Sequence, residues 1–156
     1  MSVAKSLCSL IVIGLVSALS ANPEGSDDPS WFTYPLLYCT PDANSHFRDV
    51  TVELPRIEFA PPAAPIHIGG TLSASSAFFG GFEAGWGAAD AESGLYHPAP
   101  AAQFIVVLQG EFSIAATDGE TRRFGPGSVF RVEDIPPCKG HITVAGDKPG
   151  FFLFAR

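Results

Sequence analysis

The sequence predicts an all-β domain of many short antiparallel strands, either a barrel or a sandwich. The chain has 156 residues, and its 16 glycines and 14 prolines are spread along its length, which favours turns over long helices. Short apolar stretches alternate with polar residues at period two, as is typical of strands. Turn signals separate these stretches at 109–110, 118–119 and 125–127. With 46% hydrophobic residues the chain can bury one core, so we expect a single domain.

Residues 1–20 have the features of a cleaved secretory signal peptide. Lys5 supplies a positive charge, residues 7–19 form an apolar run that is too short to span a bilayer comfortably, and small residues precede a cleavage site near Ser20 or Ala21. An uncleaved membrane anchor is the alternative. We therefore predict a secreted protein that makes no membrane contact after signal cleavage.

Residues 21–45 are expected to form a flexible N-terminal arm before a single domain at 46–156. Residues 21–30 are polar and contain two prolines, whereas residues 31–39 are aromatic and aliphatic without helical spacing. We expect the segment 31–39 to pack irregularly over the core. It could exchange between the subunits of a homodimer.

The first strands of the domain are expected between residues 46 and 82. Alternation at 50–54 and 57–59 is interrupted by Pro55, which places this pair of strands at a sheet edge or a bulge. Residues 66–68 alternate again, with His67 on the face opposite to the two isoleucines. The loop at 83–94 is rich in glycine and acidic residues, and loops of this kind often line an opening.

The most regular pattern lies in the C-terminal third of the chain. The strand predicted at 103–109 is continuously apolar and therefore of the buried kind. Asp118-Gly119 is the strongest short signal for a hairpin turn, because a type I′ turn needs positive φ at both central residues. Further strands are predicted at 111–117, 121–124, 128–134, 141–144 and 150–156.

Charge and cysteine content limit the classes of partner. The formal net charge is −7, and an acidic chain repels phosphate backbones, so we exclude nucleic acid as a partner. Cys8 leaves with the signal peptide. Cys39 and Cys138 then remain in an oxidising compartment, where they either form a disulfide or stay buried and unpaired. The sequence has neither a CxxC pair nor a Gly-x-Ser-x-Gly elbow, which disfavours thiol redox and serine hydrolase chemistry.

Two histidines stand before predicted strands in positions that resemble known motifs. Residues 97–99, His-Pro-Ala, are followed by Gln103 and an apolar strand that ends in a turn, and later 126–127 lead through a strand to His141. Over residues 85–150 this pattern is similar to the two motifs of the cupin superfamily. The resemblance implies an antiparallel jelly-roll β-barrel with both histidines in its mouth. That fold hosts dioxygenases, isomerases, decarboxylases, lyases, sugar binders and storage proteins, so it does not fix an activity.

The resemblance leaves two alternatives for metal binding. The family's usual site gathers three imidazoles and one carboxylate, a set suited to iron, manganese, nickel or zinc. Here His97 and His141 stand at the first and last ligand positions, Ala99 has no ligand atom, and Gln103 offers a neutral amide oxygen. These residues imply either one divalent metal on an incomplete shell or a metal-free pocket. The groups that could complete the shell are His67, Glu83, Glu92 and water.

Without a metal, the same residues can support acid and base chemistry. His97 and His141 can act as general acid or base near neutral pH, and Gln103 can orient a substrate carbonyl or hydroxyl. The residues expected to contact the substrate are Tyr96, Phe104, Trp86, Phe130 and His67. The neighbours Glu133 and Asp134 point to opposite faces of a strand, so at most one faces inward, in a structural hydrogen bond.

Three functions are consistent with a secreted cupin-like protein that has a small-molecule pocket. The first is an isomerase, lyase or cyclase that uses histidine acid and base chemistry with or without a metal. The second is a non-catalytic small-molecule-binding or structural protein. The third is a metal-dependent oxygenase, which the missing second histidine of the motif disfavours.

Overall fold

A computed structural model describes residues 29–156 and shows an all-β architecture with one short helix. In chain order the elements are β1 Trp31–Cys39, β2 Ser45–Glu53, β3 Arg56–Ile57, β4 Ile66–His67, β5 Ala77–Phe82, α1 Ala88–Ser93, β6 Gln103–Gln109, β7 Phe112–Ala116, β8 Thr121–Phe124, β9 Val129–Val132, β10 His141–Ala145 and β11 Gly150–Ala155. The predicted signal peptide at 1–20 and the start of the predicted arm lie outside these residues. In the described part, no helix is long and apolar enough to cross a membrane.

The strands form three sheets. The largest has six strands in the order β2-β1-β9-β6-β11-β5, the second has the order β10-β7-β8, and β3 pairs with β4. Neighbouring strands are antiparallel except for β1 and β9, which run parallel. The all-β prediction is confirmed. Strand pairing within residues 29–156 closes none of the sheets into the predicted barrel, and the two larger sheets instead pack face to face.

Residues Trp31–Cys39 form a regular strand where an irregular arm was expected. β1 pairs with β2 along its whole length and with β9 at Leu36 and Leu37, and both leucines are buried. Pro35 obscures this strand in the sequence, because proline lacks the N–H that a central strand donates. The structure accommodates it because pairing with β9 begins only at Leu36.

The core lies between the two larger sheets and is dominated by phenylalanine. Phe130 on β9 and Phe152 on β11 are almost completely buried, and their ring centroids lie 5.7 and 4.9 Å from that of Phe112 on β7. Phe124 on β8 stacks on Phe130 at 4.3 Å. Full burial of each such side chain is worth roughly 1.5–3 kcal/mol. The inward positions of these strands recur at period two, as a sheet with one buried face requires.

A disulfide and an ion pair link the first two strands to residues in or next to the three-stranded sheet. Cys39, at the end of β1, forms a disulfide with Cys138, and their Cα atoms are 5.8 Å apart. This pairing decides between the two alternatives left by the sequence and is compatible with secretion. Arg122 on β8 donates a hydrogen bond to Asp49 on β2 at 2.5 Å.

The loop that leads from β5 into α1 packs against β10 at the edge of the three-stranded sheet. The carbonyl of Trp86 accepts a hydrogen bond from the N–H of Ala145 on β10 at 2.9 Å. Gly87 has φ of 81°, and a Cβ there would lie 1.9 Å from the carbonyl oxygen of Thr143, so only glycine allows this approach. The loop is thereby fixed against β10 and becomes one wall of the site described next.

Candidate functional site

A cavity of about 380 Å³ opens between the two larger sheets at one end of their strands. This volume suits a small organic molecule. Phenylalanines of β5, β7, β9 and β11, Trp86 and several branched aliphatic side chains form most of its wall. The polar side chains on the wall are His97, Gln103, His141, Thr143 and Arg156.

Strand register brings polar side chains to one end of the cavity. Gln103 is the first residue of β6, and Ala155 of β11 lies opposite Phe104 in the antiparallel pair, so Arg156 follows beside Gln103. His141 is the first residue of β10 in the facing sheet. Inward alternation along β11 places Arg156 on the same face as Phe152. Strand ends from both sheets therefore build the polar rim.

His97 and His141 are joined through their backbones. Each N–H donates to the carbonyl of the other residue at 3.0 Å, and the ring centroids are 4.7 Å apart. Gly140 permits this approach, since its φ is 92° and a Cβ there would lie 2.0 Å from the carbonyl carbon of His97. The fully buried Ser45 fixes the same turn, because its Oγ donates to the Gly140 carbonyl at 2.6 Å. Main-chain contacts thus fix the backbone positions from which the two rings extend.

A buried carboxylate orients the ring of His141. Nδ1 of His141 lies 2.6 Å from Oδ2 of Asp134, and the side chains are 8% and 0% exposed, respectively. Because an ionised carboxylate can only accept, Nδ1 carries a proton in either charge state of the ring. Nε2 is then the position at which His141 can exchange a proton with a ligand. The other oxygen of Asp134, Oδ1, is buried without a hydrogen-bond partner among residues 29–156.

Two further polar atoms of the site are buried and unpartnered. Nε2 of His97 and Oε1 of Gln103 have no hydrogen-bond partner within the described residues. A buried polar group without a partner costs roughly 1–3 kcal/mol, so such atoms at a cavity indicate positions that a ligand satisfies. Burial, and secondarily the charge of the neighbouring His141, lower the pKa of His97 below its ordinary 6.5. His97 is therefore neutral at pH 7, and it can accept a proton.

Aromatic stacking shapes the wall beside the histidines. Phe82 and Trp86 stack at 4.2 Å with an interplanar angle of 6°, and Trp86 presents itself edge-on to His97 at 6.3 Å. Gly80 leaves space for the ring of Phe154, because a Cβ at residue 80 would lie 2.7 Å from that ring. The wall is therefore aromatic and apolar close to the two histidines.

The structure brings together five of the residues proposed from the sequence. His97, Gln103 and His141 lie on one rim, and Trp86 and Phe130 belong to the wall of the same cavity. Their assembly depends on the pairing of β6 with β9 and on the contact between the two histidines. Sequence separation alone could not establish either.

Phe104, proposed as a substrate contact, lies on the outer face of the six-stranded sheet. It packs edge-on against Tyr34 at 5.0 Å and beneath the guanidinium of Arg131 at 4.8 Å. The reason is the period of the strand: with Gln103 and Ile105 facing the cavity, Phe104 must face away from it. The sequence did not distinguish the cavity-facing from the outward-facing residues of β6, because both faces of the strand are covered and the run is apolar throughout.

The other proposed residues also lie away from the cavity wall. Tyr96 is 37% exposed, and Nδ1 of His67 lies 2.8 Å from the carbonyl oxygen of Leu54 in the β3–β4 region. Glu83 and Glu92 are likewise absent from the wall among residues 29–156. None of these side chains stands where it could complete a metal shell around His97.

Two candidates for the site, Asp134 and Arg156, were not identified from the sequence, although the alternation of inward-facing residues could have located them. Phe130 and Val132 face inward on β9, and Asp134 continues that series. Phe152 and Phe154 face inward on β11, and Arg156, the residue after that strand, continues their series. The sequence left open whether Glu133 or Asp134 faces inward in a structural hydrogen bond; Asp134 does, and its partner is a histidine of the site.

The donor set does not complete the metal site that the resemblance implies. Residues 29–156 contain no group of three or more histidine, cysteine, aspartate or glutamate side chains placed to hold a metal ion. The cavity offers two imidazoles and the amide of Gln103, and the one carboxylate nearby, Asp134, is engaged by Nδ1 of His141. A tightly held divalent ion needs more, or stronger, ligands than these. We therefore derive the chemistry of the site from its protein groups.

Comparison of the chain with protein-family models, with curated proteins and with solved structures finds no match. The arrangement of residues in the cavity is thus the basis for assigning a function.

Proposed function

We propose that this chain is a secreted cupin-like protein whose cavity binds a small organic molecule and catalyses proton transfer on it, as an isomerase, lyase or cyclase. One observation carries the proposal: two imidazoles meet at the rim of an apolar cavity, one paired with a buried carboxylate and the other with an unpartnered, buried Nε2. Paired sheets that face each other and the motif spacing around His97 and His141 support the cupin-like assignment.

The different environments of the two histidines give them different roles. Nδ1 of His141 is hydrogen-bonded to Asp134, which leaves Nε2 for the ligand, so we assign His141 as the group that donates a proton from Nε2. The pKa of His97 is lowered by burial and by the charge of His141, so its Nε2 keeps the lone pair that a base needs. With ring centroids 4.7 Å apart, two positive charges repel, so the pair operates with one positive charge shared between its members.

A balanced reaction follows from these roles. Nε2 of His97 takes a proton from a carbon next to a substrate carbonyl, and the electron pair of the broken bond moves toward the carbonyl oxygen. The N–H of the Gln103 amide donates a hydrogen bond to that oxygen. In an isomerisation the electron pair returns to a different atom of the substrate, which takes the Nε2 proton of His141. In an elimination the carbonyl re-forms as the bond to the departing group breaks, and that group takes the proton. Exchange with water then moves the proton from His97 back to His141.

Deuterium exchange tests this chemistry directly. NMR in D₂O follows exchange next to the carbonyl in a panel of small enolisable ketones and acids. We expect the protein to accelerate exchange in those that bind, and His97→Gln and His141→Gln each to lower the rate roughly 100-fold or more. His46→Gln is the matched control, because His46 also contacts an aspartate, Asp118, at 2.7 Å but lies outside the cavity wall. This variant should retain the full rate.

The competing function is a non-catalytic binding protein, which the largely apolar wall also suits. Binding in the cavity without exchange above that of the His97→Gln, His141→Gln double variant would assign the protein to this class. Elemental analysis after purification without chelators addresses the metal-dependent oxygenase. A stoichiometric ion that is lost in the double variant would replace the metal-free mechanism.

A further inference from the structure

We infer that the cavity selects small apolar acids and that Arg156 binds their carboxylate. This inference rests on the proposed function, because it names the substrate class of the same site. Arg156 is on the cavity wall and comes next to Gln103 in the register of β6 and β11. An anion on Arg156 would therefore lie at the polar rim, at the same end of the cavity as the two histidines.

The backbone of Arg156 is held in place at this rim. Its carbonyl oxygen accepts hydrogen bonds from the N–H groups of Ser75 and Ser76, both at 2.7 Å, and from the Ser75 hydroxyl at 2.9 Å. Its own N–H donates to the Ser76 carbonyl at 2.9 Å. The guanidinium carbon lies 4.9 Å above the ring of Phe78, which itself stacks on Phe154. A fixed backbone and a supporting ring position the charge for a ligand.

No aspartate or glutamate side chain among residues 29–156 forms an ion pair with the guanidinium of Arg156. Arg122 forms ion pairs with Asp49 and Glu120, and Arg131 forms one with Glu133, but Arg156 forms none within residues 29–156. The described wall of the cavity carries no acidic side chain that would repel an anion. A guanidinium matches a carboxylate with two parallel hydrogen bonds, which makes a carboxylate the expected ligand group.

The rest of the cavity fits a flat apolar body attached to that carboxylate. The stacked pairs Phe78–Phe154 and Phe82–Trp86 belong to its wall. Aromatic walls of this kind favour aromatic or unsaturated molecules. With the carboxylate on Arg156, the adjoining carbons lie at the rim, where His97 provides the base.

Calorimetric titration with trans-cinnamate and its neutral counterpart trans-cinnamamide tests the selectivity. We expect the acid to bind roughly five- to tenfold more tightly than the amide. Arg156→Gln should remove this preference by weakening acid binding more than amide binding, and Arg156→Lys should keep part of it, because lysine retains the charge but not the fork. Arg123→Gln, on an exposed position of β8, is the matched control and should bind as the unmodified protein does.

The outcomes separate this inference from the proposed function. Equal binding of acid and amide, a preference that survives in Arg156→Gln, or binding of neither compound overturns the inference, whatever the deuterium exchange shows. An acid preference that depends on Arg156, without exchange by the unmodified protein, supports the inference and overturns the proposed chemistry. Thermal unfolding of Arg156→Gln and Arg156→Lys verifies that both variants are folded.

Discussion

The space between the two larger sheets is filled at one end and open at the other. At the filled end, Phe124 stacks on Phe130 at 4.3 Å and lies 5.6 Å from Phe112. At the open end, the same strands reach a cavity of about 380 Å³ with histidine and arginine at its rim. The chain at β9 contributes to both, since Phe130 packs on Phe124 and also lines the cavity, and Asp134, two residues beyond the end of β9, binds His141. The change in residue type along one inward face marks where packing ends and the site begins.

The two ends make different contributions to folding. Tightly packed rings at the filled end stabilise the fold through burial and dispersion. The open end instead contains Nε2 of His97 and Oε1 of Gln103, which are buried without a hydrogen-bond partner among residues 29–156 and so stabilise the fold less than packed apolar groups do. It is held together by the main-chain contact at His141 and by the nearby disulfide of Cys138. The core therefore supplies the stability that lets the rim keep its polar groups free for a ligand.

The largest effect is expected from a change at the filled end. Phe130→Ala removes a ring with no exposed surface, which packs on Phe124 at the filled end and also lines the cavity, so we expect the lost burial and packing to cost about 3–5 kcal/mol in the free energy of unfolding. Urea denaturation with the disulfide intact measures it. Phe79→Ala, at a position that is 78% exposed, is the control and should change stability by less than about 0.5 kcal/mol. Similar losses in both variants would show that the core is not packed at Phe130 as described.

A smaller effect is expected from removing the carboxylate at the open end. Asp134→Ala leaves Nδ1–H of His141 buried without an acceptor, which should lower the free energy of unfolding by about 1–3 kcal/mol and reduce the deuterium exchange rate as well. Asp118→Ala removes the partly exposed carboxylate next to His46 and should cost at most about 1 kcal/mol with no change in exchange. If both variants behave alike, Asp134 has no role beyond that of a surface ion pair.

The sequence predicted the strands of the filled end better than it predicted the composition of the open end. Period-two alternation and the Asp118-Gly119 turn depend on local chemistry, and the hairpin between β7 and β8 is present as expected. The type I′ turn expected there is wrong, because Gly119 has positive φ but Asp118 does not. The same alternation, applied strictly, excludes Phe104 from a cavity that Gln103 faces and includes Asp134. Those two assignments were therefore accessible from the sequence, once the inward face of each strand was fixed.

The remaining features of the site depend on contacts between distant parts of the chain. The bridge between His97 and His141 requires the close approach at Gly140, and a glycine in a loop does not show in sequence which backbone it will meet. The parallel pairing of β1 with β9, which places Leu37 in the core, joins strands that are far apart in the sequence. Pro35 makes β1 difficult to recognise as a strand from the sequence. Without knowledge of this pairing, the sequence could not decide between the barrel expected from the motif spacing and its alternative, the sandwich.

The smallest effect expected is a dependence of stability on pH that comes from His97. Its pKa is lowered in the folded protein, chiefly by burial and then by the charge of His141, from an ordinary value of 6.5. Between the two pKa values the unfolded chain binds more protons than the folded one, so stability is retained above pH 6.5 and is lost as the pH falls through the range below it. Urea midpoints at about pH 7.5 and about pH 5.5 should therefore differ more in the unmodified protein than in His97→Gln.

The His141→Gln variant separates the two causes of this shift. It removes the neighbouring charge but keeps His97 buried, so NMR titration of the His97 ring should show its pKa raised toward 6.5 without reaching it. His46→Gln, which removes a histidine outside the cavity wall, should leave that titration unchanged. A His97 pKa that is the same in the unmodified protein and in His141→Gln would mean that the two rings do not interact electrostatically. They could not then share a proton, and the open end would lose the feature that most distinguishes it from the filled one.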